Sequence, residues 1–248
     1  MPDIQRRQQE QYVFPYHHIS SVDERGEGTR VRILNWGFEY LLYNARLVEL
    51  VHSLRPQSIL DVGCGDGYFL GQVDERIPLR VGVDINERAL NFAKAFYPSV
   101  DYRNSDIVDV DEQFDVVSAI EVLEHIPEEA LPAFLRAMSD RLAPGGSVLI
   151  SVPTVNEPLN SKHFRHYDLN LLEKQVTGAV PDLKLVHSEF FYKKTWAETV
   201  YRRLTSGRLL RGEIPALRRF VWRHARKSAR LATPEDGLHL IARFTKEK

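Results

Sequence analysis

The chain has 248 residues, 43% of them hydrophobic and 27% charged, which is ordinary globular composition. Its formal net charge of −1 excludes a global field that would draw it to nucleic acid or membrane. The single cysteine, Cys64, excludes an internal disulfide and any cysteine-rich zinc site, and fits a reducing cytosol, so a cytoplasmic location is expected.

Residues 1–35 are polar and then aromatic (Tyr12, Phe14, Tyr16) and read as an N-terminal arm or a lid over a substrate pocket. Met1–Arg7 has no apolar core behind it, so no signal peptide is expected. No apolar run approaches the ~18 residues that span a bilayer. Residues 36–54 space Trp36, Tyr40, Tyr43, Leu47 and Val51 as a helix does, and Pro56 stops it. Residues 36–248 then read as one domain.

Ser58–Leu70 holds an apolar run, three glycines and the opening of a helix. Ile59, Leu60 and Val62 suit a buried parallel strand. Gly63, Gly65 and Gly67 let the backbone turn sharply and approach a ligand. Residues 80–85 form a second strand ending in Asp84. Asn86 caps a helix to about Phe96, and Pro98 ends it. Residues 100–103 are a short third strand, followed by the polar turn Asn104-Ser105-Asp106. Residues 114–120 are a fourth strand, and 121–125 its C-terminal turn.

Pro127 is predicted to begin a helix to about Leu142. Residues 143–146 are then a turn, and 147–152 a fifth strand. Asp168 caps a helix to about Val176. Residues 183–191 and 238–244 are the sixth and seventh strands. Between them a basic helical insertion spans about 194–232. From Tyr201 to Arg230 it holds ten Arg/Lys and one acid, Glu213. It can be a solvated face, an amphipathic surface lying on anionic lipid through 198–230, or a contact for an anionic substrate. The alternation of strand and helix predicts an α/β architecture with a mostly parallel sheet covered on both faces.

Asp61 ends the first strand and Asp84 the second. An acid at the second position can accept both hydroxyl protons of a ribose, in a dinucleotide site as well as in others. The loop is Gly63-x-Gly65-x-Gly67 rather than G-x-G-x-x-G, and it has no Lys or Arg for phosphates. Asp61 would repel a pyrophosphate and attract a cationic amino-acid end.

Leu60-Asp61-Val62-Gly63-Cys64-Gly65-Asp66-Gly67, Gly82-Val83-Asp84, Asp106-Ile107, Phe114-Asp115-Val116-Val117 and Leu142-Ala143-Pro144-Gly145-Gly146 resemble, in that order, the motifs of class I S-adenosylmethionine-dependent methyltransferases. The resemblance covers about 56–178. It implies a three-layer, doubly wound, Rossmann-like seven-stranded sheet of order 3-2-1-4-5-7-6 with the seventh strand antiparallel. It implies that Gly63 and Gly65 pass under the methionine part of S-adenosylmethionine, with Asp61 and Cys64 also binding the cofactor. Asp84 then holds the ribose, Ile85 also binds the cofactor, Asp106 and Ile107 flank the adenine, and Glu121 borders the sulfonium.

If residues 121–125 are helical, Glu121, Glu124 and His125 share one face and can bind a divalent cation such as Mg²⁺ or Mn²⁺, with His163 or His166 as a fourth ligand. The Glu-x-x-Glu-His run resembles that of ubiquinone-biosynthesis O-methyltransferases. It also resembles that of metal-dependent RNA 3′-terminal 2′-O-methyltransferases, but the further polar motifs of those enzymes are absent, which disfavours nucleic acid as a partner. The run is also common in small-molecule enzymes where it implies no metal. Residues 153–168 resemble a segment of UbiG-like and sugar- or polysaccharide-tailoring methyltransferases. The expected acceptor is therefore a hydroxyl of a small molecule or glycan. His166 is the first candidate general base and His163 the second, unless they only cap the next helix or bond the backbone. N-methylation stays open, as does a silent S-adenosylmethionine-binding module.

Overall fold

The computed structural model describes residues 21–22, 28–29, 37–205 and 215–246. Most of the expected arm or lid lies outside these residues. Within it, Ser21–Val22 pairs antiparallel with Gly28–Thr29.

The apolar runs become strands of one sheet: β1 (Ser58–Val62), β2 (Leu79–Val83), β3 (Asp101–Arg103), β4 (Phe114–Ile120), β5 (Leu142–Pro153), β6 (Leu183–Phe191) and β7 (His239–Lys246). Their order is 3-2-1-4-5-7-6. β1 to β5 are mutually parallel, and β7 runs antiparallel to both β5 and β6.

Period-two alternation sends successive strand residues to opposite apolar layers. Ile59, Val116, Leu149 and Ile241 face one layer, while Leu60, Val117, Ile150 and Leu240 face the other. The first layer is closed by α1 (Gly37–Leu54), α2 (Tyr68–Gln72), α3 (Glu87–Phe96), α6 (Trp196–Thr205) and α7 (Pro215–Ala229). The second is closed by α4 (Leu131–Asp140) and α5 (Leu169–Ala179). Burying each large aliphatic side chain here contributes about 1.5–3 kcal/mol.

Side-chain caps set two helix starts as expected. Asn86 Oδ1 accepts the Ala89 N–H at 3.3 Å, and Asp168 Oδ1 accepts the Leu171 N–H at 2.8 Å. Two boundaries differ from expectation. Pro127 does not begin α4. Its carbonyl takes the N–H groups of Ala130 and Leu131, both at 3.1 Å, in a preceding turn. Pro132 sits in the first helical turn instead, where no N–H is needed. The expected turn 143–146 is absorbed into β5 as an irregularity: Leu142 pairs with Phe114, and the register shifts before Ser147 pairs with Val116.

The helices between β6 and β7 pack on the start of α1. Phe38 meets Tyr201 of α6 edge-on at 5.5 Å and Trp222 of α7 at 5.9 Å. Among the described residues no helix is long and apolar enough to cross a membrane. The chain leaves β1 and β4 in opposite directions across the sheet. This opens a crevice at their carboxyl ends, the standard ligand position in such sheets.

Candidate functional site

A cavity of about 840 Å³ fills that crevice. Asp61, Gly63, Cys64 and Gly65 line it after β1, Asp84 and Ile85 after β2, and Asp106 and Ile107 after β3. Glu121 lines it after β4. The nine residues predicted from sequence to surround a cofactor thus border one space.

The glycine loop is tied to β2. The N–H groups of Gly63 and Cys64 donate to the Val83 carbonyl at 2.8 and 3.1 Å. Gly63 has φ +73°, and a Cβ there would lie 2.7 Å from a Val122 methyl, so the close approach requires glycine. Asp84 is held by two backbone donors, Gly65 N–H at 2.8 Å and Asn86 N–H at 2.7 Å, one to each oxygen. Each oxygen keeps a lone pair for a ligand hydroxyl. Burial raises the Asp84 carboxyl, against the pull of the two N–H groups.

Asp61 is 2% exposed and accepts the Ser118 hydroxyl at 2.7 Å. Burial, with Asp84 adding to it, pushes its carboxyl up to about 7 despite Ser118. The folded chain therefore holds this proton more tightly than the unfolded chain, and stability falls as pH rises from about 4 to about 7. A cationic ligand group selects the ionised form. Affinity for S-adenosylhomocysteine should fall about tenfold for each pH unit below 7, and level off above it. Calorimetry across pH checks this, with Asp61→Asn expected to lose the dependence; an equal slope in the variant would contradict it.

After β4, beside the glycine loop, lies a buried charge set that the sequence did not reveal. Glu121 has φ +54°, left-handed backbone that a non-glycine residue adopts only when its surroundings hold it there. Its Oε1 accepts the Ser151 hydroxyl at 2.5 Å and His239 Nδ1–H at 3.2 Å. His239 Nε2–H donates to Glu39 Oε1 at 3.1 Å. Burial alone would lower the imidazole, but Glu121 and Glu39 push it up to about 10. Burial alone would raise Glu121, and the His239 cation reverses this. The Tyr43 ring packs on His239 at 4.3 Å, and Tyr43, Tyr40 and Asn44 line the cavity from α1. A histidine at the start of the last strand, before Leu240 and Ile241, was the sequence signal.

The premise of one helical face for Glu121, Glu124 and His125 does not hold. The 3-10 turn covers only Leu123–His125, and the left-handed backbone at Glu121 turns its carboxylate toward His239. The groups that gather are Glu124, His125 and His163, each with a ligating atom within 4.8 Å of the others. Glu124 is 1% exposed, and its Oε2 has no hydrogen-bond partner among the described residues. Burial, then Glu121, holds its carboxyl well above the usual range.

Three imidazoles stand in file. His125 lines the cavity, His163 meets it edge-on at 4.7 Å, and His166 lies 5.0 Å beyond His163. Hydrogen bonding assigns the neutral tautomers. His166 Nδ1 faces the Glu157 carbonyl at 2.9 Å and must carry the proton, so its Nε2 accepts from His163 Nδ1 at 2.7 Å. His125 Nδ1 likewise donates to the Lys162 carbonyl at 2.9 Å. The bare nitrogen of both His125 and His163 is therefore Nε2. Burial lowers both rings, and His163 falls to about 4 with His125 and His166 adding to the effect. The sequence placed His163 and His166 in one segment but not the order of the file, in which His125 stands nearest the cavity.

Residues 38–200, well over half the chain, match the family described as a methyltransferase domain. The chain is 27% identical over 164 residues to a Mycolicibacterium smegmatis protein named "probable S-adenosylmethionine-dependent methyltransferase", covering 62% of each. It is 36% identical over 138 residues to the ubiquinone biosynthesis O-methyltransferase of Marinobacter nauticus, covering 49% of this chain and 56% of that one. The chain thus spans between half and two thirds of these relatives' length. The crystal structure of the N-methyltransferase NodS from Bradyrhizobium japonicum superposes with a TM-score of 0.58 at 17% identity, covering 87% of this chain and 100% of that one. This last likeness is one of fold. The chain belongs to the methyltransferase-domain family, with the fold of the class I S-adenosylmethionine-dependent methyltransferases.

Proposed function

We propose that the protein moves the methyl group of S-adenosylmethionine to a hydroxyl of a small molecule or glycan, with the histidine file removing the proton. The file carries the reading: three imidazoles in ring and hydrogen-bond contact, starting with His125 in the cavity wall. The cavity fits the cofactor. Asp84 is aimed for a ribose, Asp61 offers a buried acid to an ammonium, and Gly63 leaves the space a Cβ would fill. When bound, S-adenosylmethionine supplies a methyl carbon whose bond to sulfur breaks as the acceptor oxygen attacks it.

His163 Nε2, behind His125 and approached by the Asn160 amide at 3.2 Å, takes the hydroxyl proton as the acceptor displaces that amide. Its Nδ1–H then passes along the 2.7 Å contact to His166, which the Glu157 carbonyl holds in place. A general base contributes about 10²–10⁴ in rate and most when its pKa lies near the working pH, so His163, lowered to about 4, is expected at the low end, about 10². His163→Ala should lower kcat by that factor and leave S-adenosylhomocysteine affinity unchanged. Full turnover in the variant would remove the base from the reading. The name of the ubiquinone-biosynthesis relatives favours oxygen as the acceptor atom.

A second reading is favoured by one observation, the unpartnered buried oxygen of Glu124 beside His125 and His163. Those three side chains would hold a divalent cation, which would act as a Lewis acid toward the acceptor hydroxyl. Titration of the protein with Mn²⁺ by calorimetry tests it. Saturable binding lost in Glu124→Gln supports this reading, and heats no larger than dilution reject it.

A further inference from the structure

The inward face of the helix pair α6 and α7 is apolar and buried, through Ala197, Tyr201, Val221 and Ala225. The outward face is apolar too. On α6, Trp196, Val200 and Leu204 recur every fourth residue as one stripe, and are 68%, 41% and 51% exposed. On α7, Phe220 is 50% exposed and lies parallel to the His224 ring at 6.3 Å. Trp196 approaches the same imidazole at 6.0 Å. His224 therefore joins the apolar residues of both helices into one continuous patch, of the kind that marks an interaction site.

Cations border the patch. Arg203 adjoins Leu204 on α6, and Arg223 and Lys227 follow Phe220 by three and seven residues on the same side of α7, with Arg219 adjacent. All four are exposed, and among the described residues none is ion-paired. By contrast Arg226 and Arg230 turn to Glu49 on α1. The only acid in the described part of the pair, Glu198, is buried against Tyr192 and Thr195. The described residues of the pair thus offer apolar side chains inside a basic rim, with no exposed carboxylate among them to oppose an anionic partner.

We infer that this face docks reversibly on an anionic lipid bilayer. Aliphatic Val200 and Leu204 beside Trp196 and Phe220 match the acyl–headgroup boundary, where the ring and chain bury and the cations stay with lipid phosphates. Single-stranded nucleic acid would instead call for aromatic platforms throughout, and half of this stripe is aliphatic. The small apolar area and few cations make the attachment weak and salt-sensitive.

The test is sedimentation of the full chain with vesicles of phosphatidylcholine alone or mixed with phosphatidylglycerol. Binding to the mixed vesicles only, falling with added salt and accompanied by a blue shift of tryptophan emission, is expected. Arg223→Glu with Lys227→Glu should weaken it about thirtyfold, and Trp196→Ala with Phe220→Ala about tenfold. S-adenosylhomocysteine affinity should not change in either variant, which separates loss of docking from loss of fold. No binding of the wild type to anionic vesicles at low salt would overturn the inference. So would equal binding to neutral vesicles, or patch-dependent binding of short RNA with no vesicle binding.

Discussion

Asp84→Ala is expected to weaken S-adenosylhomocysteine binding by at least about a hundredfold, through two losses at one position. The first is the pair of hydrogen bonds from ribose hydroxyls to an ionised acceptor, worth about 1.5–3 kcal/mol each. The second is the anchor of the glycine loop. Gly65 N–H donates to Asp84 and Asn86 N–H holds the other oxygen, so removing the carboxylate frees the turn that must approach the ligand. Asp84→Asn keeps one acceptor and should fall between variant and wild type. Calorimetry measures the affinities, and a thermal melt of the apo protein confirms that the variant folds. Unchanged affinity in a folded Asp84→Ala protein would contradict the assignment of this acid to the cofactor.

His239→Ala is expected to destabilise the protein by about 3–5 kcal/mol, a large effect for one surface-distant substitution, because it strands buried acids without their counter-charge. Among the described residues Glu121 would keep only the Ser151 hydroxyl as a side-chain donor, and Glu39 would lose its contact with His239. The pH dependence follows from the direction of the shift. His239 holds its proton to about 10 in the folded chain, above the ordinary imidazole value. Its stabilisation is complete below that ordinary value, about 6.5, and is lost as pH rises through about 10. Denaturant unfolding at neutral and alkaline pH should show wild type converging on the variant as pH rises. Parallel curves would mean that the ion set does not stabilise the fold. Loss of the cation should also release Glu121 from its left-handed position beside the cavity.

The parallel half of the sheet was legible because strands buried on both faces read as continuous apolar runs between turn residues, as 58–62 and 114–120 do. The acids ending β1 and β2 were legible because their places relative to glycines and strand ends carry chemistry at short range. The bulge in β5 was not, since Gly145-Gly146 signals a turn whether or not the strand continues around it. Nor was the set Glu39, Glu121 and His239. Glu121 and Glu39 lie 118 and 200 residues before His239, and only the packing of α1 and β4 against the start of β7 brings the three together. Tyr43 reads as one more apolar position on a helix, although its ring packs on His239 and lines the cavity. The histidine file was half legible: two members share a short segment, while the third comes from the turn after β4.

The most direct test of the proposed activity is incubation of the protein with methyl-labelled S-adenosylmethionine and a small-molecule cell extract, followed by identification of the labelled product. The expected product carries the label as a methyl ether, forms one for one with S-adenosylhomocysteine and is sharply reduced with His163→Ala. Label on nitrogen, or tight S-adenosylhomocysteine binding with no labelled product from any fraction, would contradict it.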